Sequence, residues 1–248
     1  MAVLGYNECV TYSFVDHGAA AMFGGGGDAT MLANPISSEM SHMRPSLLPG
    51  LLQAAARNQA RGMSDLALFE VGPVFHGGEP EDQELMVTGI LVGQSGPRDA
   101  HGTRRPVDLY DAKADAEAVL AAIGAPEKLM IIRGMNSWWH PGRSAKLSLG
   151  PKNTLGAYGE LHPKVIKAMD VKGPVVAFAI HIANVPLPKS KSNTRPALQA
   201  SGFQSVERDF AFVVDETVEA LSLLNAARGA DKALIIDATV FDQFTGPK

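Results

Sequence analysis

The stretch MLANPISSEMSHMRPSLLPGLLQAAARNQARGMSDLALFEVGPVFHGGE, residues 31 to 79, constrains the fold more than any other part of the chain. It reads as strand, loop, helix and strand in succession. Ser46 can accept an unpaired first-turn amide, and Leu48, Leu51, Leu52, Ala55 and Ala56 then recur at helical spacing, so a helix is expected to run toward Gly62. After it, Leu66, Leu68 and Glu70 alternate with Ala67, Phe69 and Val71 before Gly72-Pro73 interrupts the pattern. This predicts a buried strand with one kink, because proline lacks a ladder donor and glycine permits a bend.

The runs LANPIS-x-EMS-x-MRPSLLPGLL and LFEVGPVF, followed by HPGRSA at 140 to 145, GELHP at 159 to 163 and RDFAFVVD at 208 to 215, closely resemble the C-terminal part of bacterial phenylalanyl-tRNA synthetase beta subunits. The resemblance implies an α+β chain: a class II aminoacyl-tRNA synthetase-like antiparallel sheet flanked by helices, then an incomplete ferredoxin-like β-α-β segment. The implied boundaries are a non-catalytic core over 1–188, a linker over 189–196 and the first half of a ferredoxin-fold anticodon-binding domain over 197–248. The implied partners are the alpha subunit, in an alpha2-beta2 assembly, and tRNA(Phe). The cytoplasmic holoenzyme would use ATP and Mg2+ to join phenylalanine to tRNA. The magnesium-associated and editing parts of relatives lie upstream of this stretch, so no catalytic, cofactor or metal residue is expected here.

In catalytic class II enzymes, the strand resembling LFEVGPVF is followed by an arginine that grips the nucleotide's alpha-phosphate. Here that slot is His76. An imidazole is shorter than arginine and lacks its bidentate fork, so nucleotide activation by this chain alone is not expected. The glycine-rich run ending in a second ATP-contacting arginine is also missing from AFAIHIANVPLP, residues 177 to 188. Arg44, Glu70, His76, His140, Arg143, Glu160 and His162 are therefore expected to serve structure or a subunit interface. Arg208, Lys189, Lys191 and Arg195 are the candidates for tRNA contact. Two other readings remain: a stand-alone class II-like protein binding a nucleotide or amino acid, and a self-sufficient RNA-binding module.

The remaining segments read as follows. Residues 8 to 15 alternate like a strand, and Asp16 can cap a short helix ending at Met22. Gly24 to Gly27 lack the Lys-Ser/Thr of a phosphate loop, which leaves a flexible surface turn. The acidic run 79 to 84 has no metal-ligand spacing and reads as solvated. Residues 85 to 93 read as a buried strand. The loop 96 to 106 carries Arg98, His101, Arg104 and Arg105 without interleaved aromatics, which favours an exposed hinge over an RNA contact.

From Asp108, the residues Leu109, Ala112, Ala116, Val119, Leu120 and Ile123 share a helical face that Gly124 ends. A strand is expected near 129 to 133, a hairpin over 146 to 160, a short helix over 163 to 169 and a core strand over 175 to 185. His140 and His162 each precede proline and are assigned hydrogen-bonding roles. In the tail, residues 206 to 215 and 234 to 241 alternate as strands around a helix at 218 to 227. The ferredoxin fold places a further strand between those two, so the tail is expected to be mobile, rearranged or paired with another molecule.

Composition bounds these readings. The 248 residues are 46% hydrophobic and 19% charged, enough for a substantial core, and no apolar run reaches bilayer length. A net charge of −4 and pI near 6.0 argue against a surface given over wholly to phosphate, and nothing suggests DNA or membrane as a partner. The single Cys9 excludes an internal disulfide and reads as a small apolar residue.

Overall fold

A computed structural model describes residues 1–96, 100, 102, 104–187, 197–198 and 200–246. The chain divides into two units, Met1–Ser192 and Asn193–Lys248.

The first unit is built on a seven-stranded sheet. Its strands are β1 (Asn7–Glu8), β4 (Leu66–Phe75), β5 (Gln83–Val92), β6 (Met130–Ile132), β7 (Trp139–Leu149), β8 (Asn153–Leu161) and β9 (Val175–His181), in the spatial order β1-β4-β5-β9-β8-β7-β6. All neighbours are antiparallel except β1 against β4. A separate ribbon pairs β2 (Phe14–Val15) with β3 (His42–Met43). The helices are α1 (His17–Met22), α2 (Leu48–Gln59), α3 (Leu109–Ala122) and α4 (Pro163–Ala168).

Strand alternation sends side chains to two faces, and each face has its own cover. On one, α2 and α4 pack against Leu68, Ile90, Val92, Val175 and Ala177. On the other, α3 lays Ala112, Ala116, Val119 and Leu120 over Val87, Tyr158, Val176, Phe178 and Ile180. The central β9 is buried along Val175 to Ile180, as a strand covered on both faces must be.

Local chemistry sets the helix ends. Ser46 Oγ accepts from the Leu48 amide at 3.2 Å, as expected, although Leu47 takes the formal cap position. Asp16 Oδ1 accepts from the Ala19 amide at 2.9 Å and starts α1. Asp108 and Asp111 exchange backbone bonds in a capping box at the head of α3. Arg105 clamps Asp111 from both guanidinium nitrogens at 2.7 Å, which holds that carboxyl below its ordinary range.

Four expectations are corrected. Residues 8 to 15 do not form one strand but contribute to two sheets, because Thr11 between them is drawn into bonds with Glu70 and Arg44. Gly72-Pro73 does not break β4, whose register against β5 runs without a shift from Leu66↔Val92 to Phe75↔Gln83. The missing proline donor falls on the edge away from β5, where the Pro73 carbonyl accepts from Arg44. The glycine run is not a loose turn: a Cβ on Gly24 would lie 3.2 Å from the Trp138 ring, and one on Gly25 would lie 2.8 Å from Pro45. The HPGRSA run lies inside β7 as an irregularity, with register shifting between Trp139 and Ser144, and does not precede the hairpin.

Asp115 on α3 accepts from the Tyr6 hydroxyl at 2.6 Å, and burial, aided by nearby Asp111, pushes its carboxyl pKa up. A group that holds its proton more tightly when folded loses stability as pH rises from the ordinary carboxylate range through the raised value. Asp115→Asn keeps an acceptor for Tyr6 and removes that titration. Its urea midpoint should therefore rise relative to the parent between about pH 4 and about pH 7. A difference that stays constant over that range would refute this account.

In the second unit α5 (Ala220–Ala230) is formed, and among the described residues the flanking stretches carry no ladder bonds. Phe210, Phe212 and Val214, alternate residues of the strand expected over 206 to 215, are exposed, with the two phenylalanine rings stacked at 6.2 Å.

Candidate functional site

The slot expected from the resemblance, at His76, lies at the end of the sheet where β4 finishes, β5 begins and β9 finishes. Here three side chains from those strands tie one another up. Glu84 Oε2 lies 3.2 Å from His76 Nε2, and Glu84 Oε1 lies 2.7 Å from His181 Nδ1. Antiparallel register creates the cluster, since Glu84 is opposite Val74 and His181 is opposite Met86. His76, the residue in the arginine slot, is thus a half-exposed partner of a carboxylate. The sequence reading placed Glu84 in a solvated acidic run and gave His181 no role; Glu84 instead lies in β5 with its side chain 19% exposed, and its tie to the two histidines follows only once the strand order is known.

Beside them, Leu47 from the head of α2 packs onto Val74, Met86 and Ala179. A buried ion pair joins Arg44 Nη1 to Glu70 Oε1 at 2.7 Å, with each side chain under 5% exposed. Thr11 and Pro73 take up further hydrogen-bonding groups of the pair. Thr11 Oγ1 donates to Glu70 Oε2 at 2.7 Å and accepts from Arg44 Nη1 at 3.0 Å, while Arg44 Nε donates to the Pro73 carbonyl at 2.9 Å. The backbone joins in, with the Phe75 amide donating to the Arg44 carbonyl and the Arg44 amide to that of Ser13. Arg44 and Glu70 are therefore internal cement between the β2–β3 ribbon and β4, and neither is free for a ligand or a subunit.

The two His-Pro runs solve one local problem in the same way. Proline after each histidine offers no N–H, and the imidazole Nδ1 accepts the amide two residues on: Gly142 for His140 at 3.2 Å and Lys164 for His162 at 3.1 Å. The second bond caps α4, whose first residue is Pro163. Arg143 Nε meets Glu160 at 2.6 Å across the β7–β8 pair. All four thus engage in local structure, with Arg143 and Glu160 partly open to solvent.

Of the loop cations, Arg104 is paired with Asp65 and Arg105 with Asp111. Arg98 and His101 lie outside the described residues, as do Lys189, Lys191, Arg195 and the whole expected linker. Arg208 is exposed and donates to the Glu207 carbonyl at 2.8 Å. Among the described residues no group of three or more His, Cys, Asp or Glu is arranged to hold a metal ion, and no helix is long and apolar enough to cross a membrane. Cys9 is half-buried, and burial raises its thiol pKa.

Residues 1–182 match the family described as phenylalanyl tRNA synthetase beta chain CLM domain, and residues 201–248 match the ferredoxin-fold anticodon binding domain. The phenylalanine–tRNA ligase beta subunit of Cereibacter sphaeroides is 67% identical over 248 residues, all of this chain and 31% of that protein. The Rhodospirillum rubrum protein of the same name is 50% identical over 250 residues, again 31% of its length. The chain thus spans about a third of these relatives. Among solved structures, a pyrrolysyl-tRNA synthetase from Desulfitobacterium hafniense superposes with TM-score 0.53 at 16% identity, covering 73% of this chain and 62% of that one, which shows the class II fold alone. With the family match covering residues 1–182, and residues 201–248 matching the ferredoxin-fold anticodon binding domain, the chain belongs to the phenylalanyl-tRNA synthetase beta chain family.

Proposed function

We propose that this chain is a non-catalytic scaffold within a cytoplasmic alpha2-beta2 phenylalanyl-tRNA synthetase. In this reading it supports an alpha subunit that attaches phenylalanine to tRNA(Phe) using ATP and Mg2+. Its tail contributes to tRNA binding through the anticodon domain, with Arg208 and the lysines and arginine at 189, 191 and 195 as candidate contacts. DNA and membrane are not partners.

The observation that carries the reading is the state of the nucleotide end of the sheet. A triphosphate needs preorganised cations or a metal held by carboxylates. Here the arginine slot holds His76 bound to Glu84, the nearby arginine is consumed by Glu70, and Leu47, Val74, Met86 and Ala179 pack over the adjoining surface. These residues do not fit ATP or its magnesium, so no chemical step is assigned to them.

The test combines calorimetry and reconstitution. The isolated chain should give no heat of binding with ATP at millimolar concentration, and it should co-purify with the alpha subunit from the same source. Micromolar ATP affinity in the isolated chain, or failure to associate with alpha, would overturn the proposal.

A further inference from the structure

We infer that the opposite end of the sheet, where α4 and the turn into β9 lie beside the C-terminal end of α2, is a second contact surface for the RNA phosphate backbone. The inference rests on the tRNA reading above.

Three observations carry it. First, charge is sorted along the strands. The turn joining β4 to β5 carries Glu79, Glu81 and Asp82, with Glu84 next to it, whereas the far end exposes Lys164, Lys167, Lys172 and Arg61, none of them in an ion pair among the described residues. The acids at that end are largely spoken for, since Asp65 is held by Arg104 and Glu160 by Arg143, which leaves Asp170 as the local counter-charge. Second, the cations are held on a rigid base. The Gln59 side chain bonds both backbone groups of Lys172, each at 2.8 Å, and so clamps the turn before β9 to α2, while Val165, Ile166 and Val171 pack into the same core as Leu52 and Ala55. Third, Lys167 lines a concavity of about 420 Å³ together with Pro163, Ile166, Val171 and Gly173, with Asp170 as the one acid in its wall. A largely apolar hollow beside exposed lysines suits a polyanion with uncharged faces. A nucleic-acid strand can place phosphates on the ammonium groups and a sugar or base over the hollow.

The test uses this chain in complex with its alpha subunit and fluorescently labelled tRNA(Phe), titrated between about 50 and about 200 mM KCl. Lys164→Glu/Lys167→Glu should weaken binding about tenfold at about 100 mM salt and flatten the slope of log K against log salt by about 1.5 to 2, the loss of two phosphate contacts. Lys128→Glu/Lys152→Glu makes the same charge change at exposed positions elsewhere and should leave both quantities near the parent's. Equal weakening by the two pairs, or an unchanged slope for the first, overturns the inference. Loss of the alpha subunit by the first pair overturns it too, since the face would then be a protein contact. If the parent complex fails to bind tRNA(Phe), both this inference and the function it rests on fall.

Discussion

Arg44→Ala should destabilise the first unit by about 3–5 kcal/mol, followed by the fluorescence of Trp138 and Trp139 in urea, both of which lie in that unit. The size follows from what remains behind. The pair is under 5% exposed, so removing the guanidinium strands the Glu70 carboxylate in a dry interior and leaves the Pro73 carbonyl and the Thr11 oxygen short of donors. Replacing both members, Arg44→Met with Glu70→Leu, removes the stranded charge and should recover part of the loss, because desolvating an ion pair offsets much of its attraction. If Arg44→Ala costs under about 1 kcal/mol, or if the double variant is worse than the single, the network is not the cement described here.

What could be read from the chain beforehand followed from periods within single segments. α2, β4, β5 and α3 appear within two residues of where apolar spacing and capping side chains put them, whereas β9, expected to reach residue 185, ends at His181 where a 3-10 turn, Ile182–Asn184, begins. Contacts between residues far apart in sequence were not legible. The Arg44–Glu70–Thr11 network joins residues 26, 33 and 59 apart, and nothing local marks Thr11 as the residue that lifts the chain off β1 and hands it to β2. The same holds for His76, Glu84 and His181, which only strand order brings together. The glycine run at 24 to 27 was misjudged because its neighbours, Trp138 and Pro45, are remote in sequence. The His-Pro pairs were legible in kind, since a proline after histidine removes one donor, but which amide replaces it needed coordinates. In the tail, period-2 alternation was present in the residues, yet a strand exists only with a neighbour to bond, and alternation cannot supply one.

A second large effect is expected at the centre of the sheet, where Phe178 on β9 lies opposite Gly89 on β5 and is fully buried. Its ring crosses the glycine: a Cβ on Gly89 would lie 2.6 Å from Phe178 Cε1 and 3.1 Å from Tyr6, whose own ring meets Phe178 edge-on at 6.1 Å. The glycine in mid-strand is there for that ring, since an interior glycine otherwise weakens a strand by forfeiting side-chain packing. Phe178→Ala should therefore cost about 3–5 kcal/mol through the cavity it opens under α3. Gly89→Ala alone should cost about 1–3 kcal/mol, because the new methyl collides with an aromatic ring that has Tyr6 behind it. The two changes should not add. Once the ring is gone, the methyl at 89 fills part of the void and restores conformational restraint to the strand, so Gly89→Ala in the Phe178→Ala background should be neutral or stabilising. A double-mutant cycle in urea measures the coupling, expected at about 1–3 kcal/mol in favour of the double variant. An identical cost for Gly89→Ala in both backgrounds would show that the glycine serves backbone geometry and not the packing of Phe178.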